Sequence, residues 1–231
     1  MKMERQNVLK KKNDEKKLTT EDYNEEKAEG VLKREEEKEN HSFLLKKKSF
    51  RIALISIFTA LSVVIGYLLV SIPNIELFTL MLFLSGFILG KKNGAIIGLM
   101  SSFLFTFFNP FGSSATFAPL FAYQLFHYTA IGLLGGAIKD FLKDKNYFTP
   151  HEDLYDKKIM VLFGIIGAIL TTIYDLITTL IGAIFIYGSI QFFVWYYLSG
   201  VVFTTIHLVG NTLGFIFILP GLISLIYKWF E

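Results

Sequence analysis

Asp175 sits inside TTIYDLIT, residues 171 to 178, in the middle of a stretch that is apolar almost throughout from Ile159 to Tyr187. With Glu76 it is one of two formally charged side chains placed within apolar segments and away from their lysine-bearing ends. An ionised carboxylate at the centre of a bilayer costs about 2.5–3.5 kcal/mol or more, so such a residue is by default paired or functional. The neutral polar groups of the same segments are few, chiefly Asn74, Asn109, Tyr123, Gln124, His127, Tyr174, His207 and Asn211. Gln124 and His127 are three apart and His207 and Asn211 four apart, so each pair shares one helix face. These residue types suit hydrogen bonding to a small polar molecule. Asp175 with a histidine also suits proton exchange, and either histidine equally suits a packing contact between helices.

The elements that must position these groups are read from hydropathy and charge. The 231 residues are 52% hydrophobic and 16% aromatic, above the balance of a soluble domain. Residues 1–49 hold 14 of the 23 Lys and Arg and 12 of the 20 Asp and Glu, whereas residues 50–231 are apolar runs with short polar breaks. Two regions follow: a charged extension over 1–49, disordered or partly helical because it has little apolar area to bury, and a membrane domain over 50–231. Six candidate spans lie at about 50–72, 75–90, 93–109, 117–138, 158–187 and 201–228, giving an all-α, six-transmembrane-helix bundle. The second and third are near the short limit of about 17 residues, and the apolar segment 190–200 suits an extra interfacial or re-entrant piece.

Lysine and arginine set the orientation. Lys46, Lys47, Lys48 and Arg51 precede span one, Lys91 and Lys92 separate spans two and three, Lys139, Lys143, Lys145, Lys157 and Lys158 separate four and five, and Lys228 ends span six. The three opposite connections carry no Lys or Arg, so the positive-inside rule predicts a multi-pass cell-membrane protein with both termini cytoplasmic. At about 1.5 Å per residue, Gln124 lies about 10 Å and His127 about 15 Å below the outer end of span four. Asp175 is about 18 Å below Tyr187, and His207 and Asn211 are about 9 and 15 Å below Val201; Glu76 and Asn109 sit at the outer ends of spans two and three. Groups at matched depth avoid lipid by facing one another or a common ligand, which predicts a pocket in the outer half of the bundle. Its expected contacts are Asp175, His207, Asn211, Gln124, His127, Tyr123, Asn109, Glu76 and Trp195, with Tyr196 and Phe107 as further aromatic walls. The loops 109–116 and 188–200 are expected to close it.

Other chemistries are poorly supported. Acids and bases alternate in the extension without an aromatic platform, which argues against nucleic acid. The chain has no cysteine, and GFILGKK at residues 86–92 has the wrong spacing for a phosphate loop, so no means of hydrolysing ATP is visible. His127, His207 and Asp175 lack a recognised metal-ligand spacing, and neither a metal nor a cofactor is expected. FTTIHLVGN supplies FxxxH and HxxxN, as in prenyl-protein-processing intramembrane proteases, but the paired glutamates of that family are absent from the apolar body.

With six short spans, PNIELFTLMLFLSGFILGKKNGAIIGLMSS, FNPFG, YDLIT and HLVGNTLGF, residues 50–228 resemble the membrane-embedded substrate-binding (S) component of energy-coupling factor (ECF) transporters. That resemblance implies a subunit that captures a vitamin or related micronutrient from outside and works with a transmembrane coupling protein and two cytoplasmic ATPase subunits. It also implies a face of small residues four apart on the first helix that meets the coupling protein, and Ser56 and Ala60 have that spacing, with Ser in place of the first Ala. The rival expectations are a stand-alone proton-coupled transporter, in which Asp175 and a histidine exchange a proton, and the intramembrane protease.

Overall fold

The computed structural model describes residues 48–72, 74–151 and 154–229. Residues 51–229 form one compact unit. The charged extension expected over 1–49 lies, as far as residue 47, outside the described residues.

Among the described residues every regular element is helical: α1 (Lys48–Leu69), α2 (Phe78–Leu89), α3 (Lys91–Phe107), a 3₁₀ turn (Ser114–Thr116), α4 (Ala118–Leu142), α5 (Lys157–Phe185), α6 (Phe192–Ser199), α7 (Val201–Leu213), a π-helical turn (Gly214–Ile218) and α8 (Leu219–Trp229). The last three run on as one helix, Val201–Trp229. Three described helices are long and apolar enough to cross a membrane: Lys48–Leu69 with 22 residues, and Lys157–Phe185 and Val201–Trp229 with 29 each.

The shortest of the central helices explains how the others pack. α2 has 12 residues, about 18 Å of helix, and is buried without interruption from Phe78 to Phe87. A helix apolar on every side is stable only when protein surrounds it. α3 and α4 enclose it from one direction through backbone contact. A β-carbon added at Gly86 or Gly94 would collide with the Gly132 carbonyl, and one at Gly132 with the Gly94 carbonyl, so these helices meet where side chains are missing. From the other direction Phe83 and Phe87 meet Phe163 of α5 edge-on, with ring centroids 6.1 and 6.0 Å apart, and Phe83 meets Phe215 of the π turn at 5.3 Å. α1 leans on this body through buried Phe58, Thr59, Ser62 and Gly66, and its Tyr67 hydroxyl donates to the Leu104 carbonyl at 2.8 Å.

At the lysine-bearing end, Gly90 joins α2 to α3 with a φ of 86°, a left-handed conformation that favours glycine. Lys139 Nζ donates to the Ile88 carbonyl at 2.9 Å, satisfying one of the orphan acceptors at the C-terminus of α2, and Lys91 pairs with Asp140 at 2.8 Å.

One element differs from expectation. The second span, expected from residue 75, becomes helical only at Phe78. Asn74 adopts a φ of 58°, which Asn tolerates, and the chain through Glu76 stays irregular. Segment 190–200 yields α6, an eight-residue helix with no buried residue, too short to cross a bilayer.

Candidate functional site

Three elements meet around His207 of α7. Its Nδ1 lies 2.9 Å from Asp175 Oδ1 on α5, and its Nε2 lies 3.4 Å from Glu76 Oε1 ahead of α2. A carboxylate only accepts, so the ring donates to both neighbours only as an imidazolium, and the trio then carries a net charge of −1. Asn211, one turn along α7, donates from Nδ2 to Thr171 Oγ1 at 3.0 Å and faces Glu76 Oε1 at 3.4 Å. Thr79 Oγ1 donates to the same Glu76 oxygen at 2.6 Å. The irregular stretch before α2 is what brings Glu76 to His207 and Asn211. Non-helical backbone at membrane depth is tolerated where it is buried in protein or lines a cavity.

A second network on α4 and α5 adjoins the first. Gln124 Nε2 donates to the Tyr174 hydroxyl at 2.9 Å. The Tyr123 hydroxyl lies 3.2 Å from His127 Nδ1 and 3.3 Å from the Ile173 carbonyl, to which it donates. The Tyr174 ring joins the networks: its centroid is 5.2 Å from that of His127 and 6.0 Å, edge-on, from that of His207.

Two acceptors in this cluster are buried without a hydrogen-bond partner among the described residues, Asp175 Oδ2 and Gln124 Oε1. Leaving such a group unmet costs about 1–3 kcal/mol. About one helical turn along α4 and α5 from these two residues are Leu120, Thr178 and Thr179, which with Phe117, Gly182, Ile186 and Tyr196 line a cavity of about 170 Å³. Leu120 precedes Gln124 by four residues, and Thr178 and Thr179 follow Asp175 by three and four, so its walls continue the faces that carry both orphaned oxygens. Both threonine hydroxyls are spent on helix carbonyls, those of Tyr174 and Asp175. A second cavity of about 170 Å³ is lined by Tyr187, Phe192, Trp195, Tyr196 and Ser199, and the two share Tyr196.

Seven of the nine expected contacts therefore stand in the two joined networks: Asp175, His207, Asn211, Glu76, Gln124, His127 and Tyr123. Asn109 stands apart, its Oδ1 accepting the Phe111 amide at 2.9 Å to shape the loop after α3. Trp195 lines the second cavity and is 75% exposed. Phe107 packs with Phe103, Phe108 and Phe121 instead of lining either cavity. Ser56 and Ala60 are exposed on α1, and Ser56 Oγ donates to the Ile52 carbonyl, which leaves a small and smooth surface.

Thr79 and Thr171 were not anticipated as members of the cluster. Their signal was spacing, since Thr79 follows Glu76 by three residues and Thr171 precedes Asp175 by four. Among the described residues no group of three or more His, Asp and Glu is arranged to hold a metal ion.

A family model described as "ECF-type riboflavin transporter, S component" matches residues 46–224. No curated protein and no solved structure matches the chain.

Proposed function

Because the chain belongs to the family of ECF-type riboflavin transporter S components, and is thus a substrate-binding transporter subunit in a family that is not one of enzymes, we propose that it captures riboflavin at the joined networks of α4, α5 and α7. The observation that carries the reading is the pair of buried, unpartnered acceptors, Asp175 Oδ2 and Gln124 Oε1, about one helical turn from residues that line a cavity. Riboflavin offers what such acceptors require. Its ribityl hydroxyls and ring imide are hydrogen-bond donors, and its flat tricyclic ring matches the aromatic groups Phe117, Tyr174 and Tyr196.

A cavity of about 170 Å³ is smaller than the roughly 300–1,000 Å³ of ordinary ligand pockets. Binding in this reading displaces Tyr196, which lines both cavities, together with α6, and joins them. Gly188, with a φ of 71° and nothing near its absent β-carbon, gives the connection before α6 the latitude for that movement.

In the membrane, α1 to α5 and the α7–α8 helix form six spans, with α6 at the interface. The lysine-bearing ends face the cytoplasm and the cavities open outward. Residues 1–49 form a cytoplasmic extension, and 50–231 the substrate-binding domain. Lipid surrounds the spans, and uptake requires a transmembrane coupling protein and two ATPase subunits, which meet the chain in part through Ser56 and Ala60.

The test is direct. Protein purified in detergent and equilibrated with excess riboflavin should carry one flavin per chain after removal of free ligand, identified by its absorbance and by mass spectrometry. Absence of bound flavin, or uptake by this chain alone in liposomes under a pH gradient, would overturn the reading.

A further inference from the structure

The short helix α6 joins the last turn of α5 to the first turn of α7, and none of its eight residues is buried. The helical repeat divides its side chains into two sets. Phe192, Trp195, Tyr196 and Ser199 share the face that lines the second cavity. Phe193, Val194, Tyr197 and Leu198 form the opposite face, which is left open: Val194 is 59% and Leu198 55% exposed. Phe193 and Tyr197 stack one turn apart on it, with ring centroids separated by 6.1 Å. The apolar surface continues on both sides of α6, where Ile186, Ile190 and Val202 are exposed as well.

Three properties select what covers this face. An isolated helix of eight residues is not stable in water, so α6 with its open apolar face needs an environment that takes up that face. Charge is the second property. The chain has no Asp, Glu, Lys or Arg between Asp175 and Lys228, so neither a partner that recognises ion pairs nor an anionic headgroup finds a counter-charge there. What α6 offers is apolar area together with Trp and Tyr rings, the combination enriched at the boundary between headgroups and acyl chains. Position is the third. α6 connects two helices long and apolar enough to cross a membrane, Lys157–Phe185 and Val201–Trp229, and therefore lies where those two spans end. A second copy of the chain fits poorly, because four side chains fall well short of the roughly 800 Å² per partner of a stable interface.

We propose that α6 is a lipid anchor whose Phe193, Val194, Tyr197 and Leu198 lie about 5–10 Å into the headgroup–acyl boundary of the outer leaflet. The inference rests on the six-span reading above and is independent of which ligand the cavities take. An interfacial helix ordinarily turns a charged face to water. α6 has no charged face and turns its second side to the cavity, where the Tyr196 ring packs against Gly182 at a point that a β-carbon would occupy. The bilayer thus supports from outside the helix that walls the cavity from within.

The test uses the absence of native cysteine: a nitroxide attached at Val194→Cys or at Leu198→Cys reports one position. Each full-length variant is placed in phosphatidylcholine nanodiscs, and power-saturation electron paramagnetic resonance compares collisions with oxygen, which concentrates among acyl chains, and with a water-soluble nickel chelate. Both labels are expected to meet oxygen severalfold more readily than nickel, and a label at Lys143→Cys to show the reverse. Ile169→Cys, on the exposed side of α5 near its middle, tests the span itself. Nickel contact at either 194 or 198 with oxygen contact at 169 overturns the anchor while the span stands; nickel contact at 169 overturns both. Labels at 194 and 198 shielded from both reagents also overturn the proposal, since protein then covers this face. The readout needs no flavin, so it stands or falls apart from the riboflavin assignment.

Discussion

Asp175 gives one oxygen to His207 and leaves the other buried and unmet, and this asymmetry is the feature most informative about function. Removing the carboxylate takes away a charged acceptor and leaves the imidazole with a single partner. Hydrogen bonds to charged groups are worth about 1.5–3 kcal/mol, so Asp175→Ala should weaken riboflavin binding by about ten- to a hundredfold. Trp195→Ala removes a wall of the second cavity that is 75% exposed, and should weaken binding less than Asp175→Ala does. Asp175, His207 and Gln124 were legible in the sequence because polar groups on an apolar background are costly and conspicuous. The threonines were not. In a membrane helix a threonine ordinarily returns its hydroxyl to its own backbone, as Thr171, Thr172 and Thr178 all do here; Thr171 joins the cluster by also accepting from Asn211 and Thr79 by donating to Glu76, and their spacing from Asp175 and Glu76 tells only once those residues are known to meet.

At the scale of elements, apolar runs located the helices but not the point at which α2 begins. An expected start at residue 75 left Glu76 as an interfacial group at a helix end, whereas the left-handed turn at Asn74 and the late start at Phe78 bring it onto His207. Apolarity alone does not distinguish the first residues of a helix from an irregular stretch buried against it. Helix packing, by contrast, has a mark in the sequence, the glycines four apart at Gly86 and Gly90, Gly94 and Gly98, and Gly132 and Gly136, which let backbones approach closely. Because a β-carbon at Gly132 would strike the Gly94 carbonyl, Gly132→Val forces α3 and α4 apart, and overpacking of this kind costs about 1–3 kcal/mol or more. The variant should unfold several degrees below wild type in a detergent thermal-shift assay. Gly200→Ala, whose new methyl would find its nearest neighbours 3.8 and 3.9 Å away, should not. Equal melting temperatures for wild type and Gly132→Val would contradict the backbone-to-backbone packing of α2, α3 and α4.

For the whole molecule, the separation of charge carries the account. Lysines gather at one set of helix ends and carboxylate, imidazole and amide groups at another depth, an arrangement that follows from the sequence once the helices are placed. With no native cysteine, single reporters are clean. Gly112→Cys should be labelled by a membrane-impermeant maleimide added to intact cells, and Lys143→Cys only after the cells are opened; the reverse pattern would invert the proposed topology. Ala60→Trp replaces a small exposed residue on α1 with a bulky one, far in sequence from every ligand-facing group. It should abolish riboflavin uptake by cells while purified protein binds riboflavin as wild type does. Uptake that survives this change would place the partner surface elsewhere.

The central claim is that side chains from α4, α5 and α7, with Glu76 before α2, form one site for a flavin. Titration of riboflavin fluorescence with purified wild-type, Asp175→Ala and Gln124→Leu proteins tests it most directly. The account predicts saturation of wild type at one flavin per chain and affinity at least tenfold weaker in Asp175→Ala, with a further measurable loss in Gln124→Leu. Superimposable curves for all three proteins would contradict it.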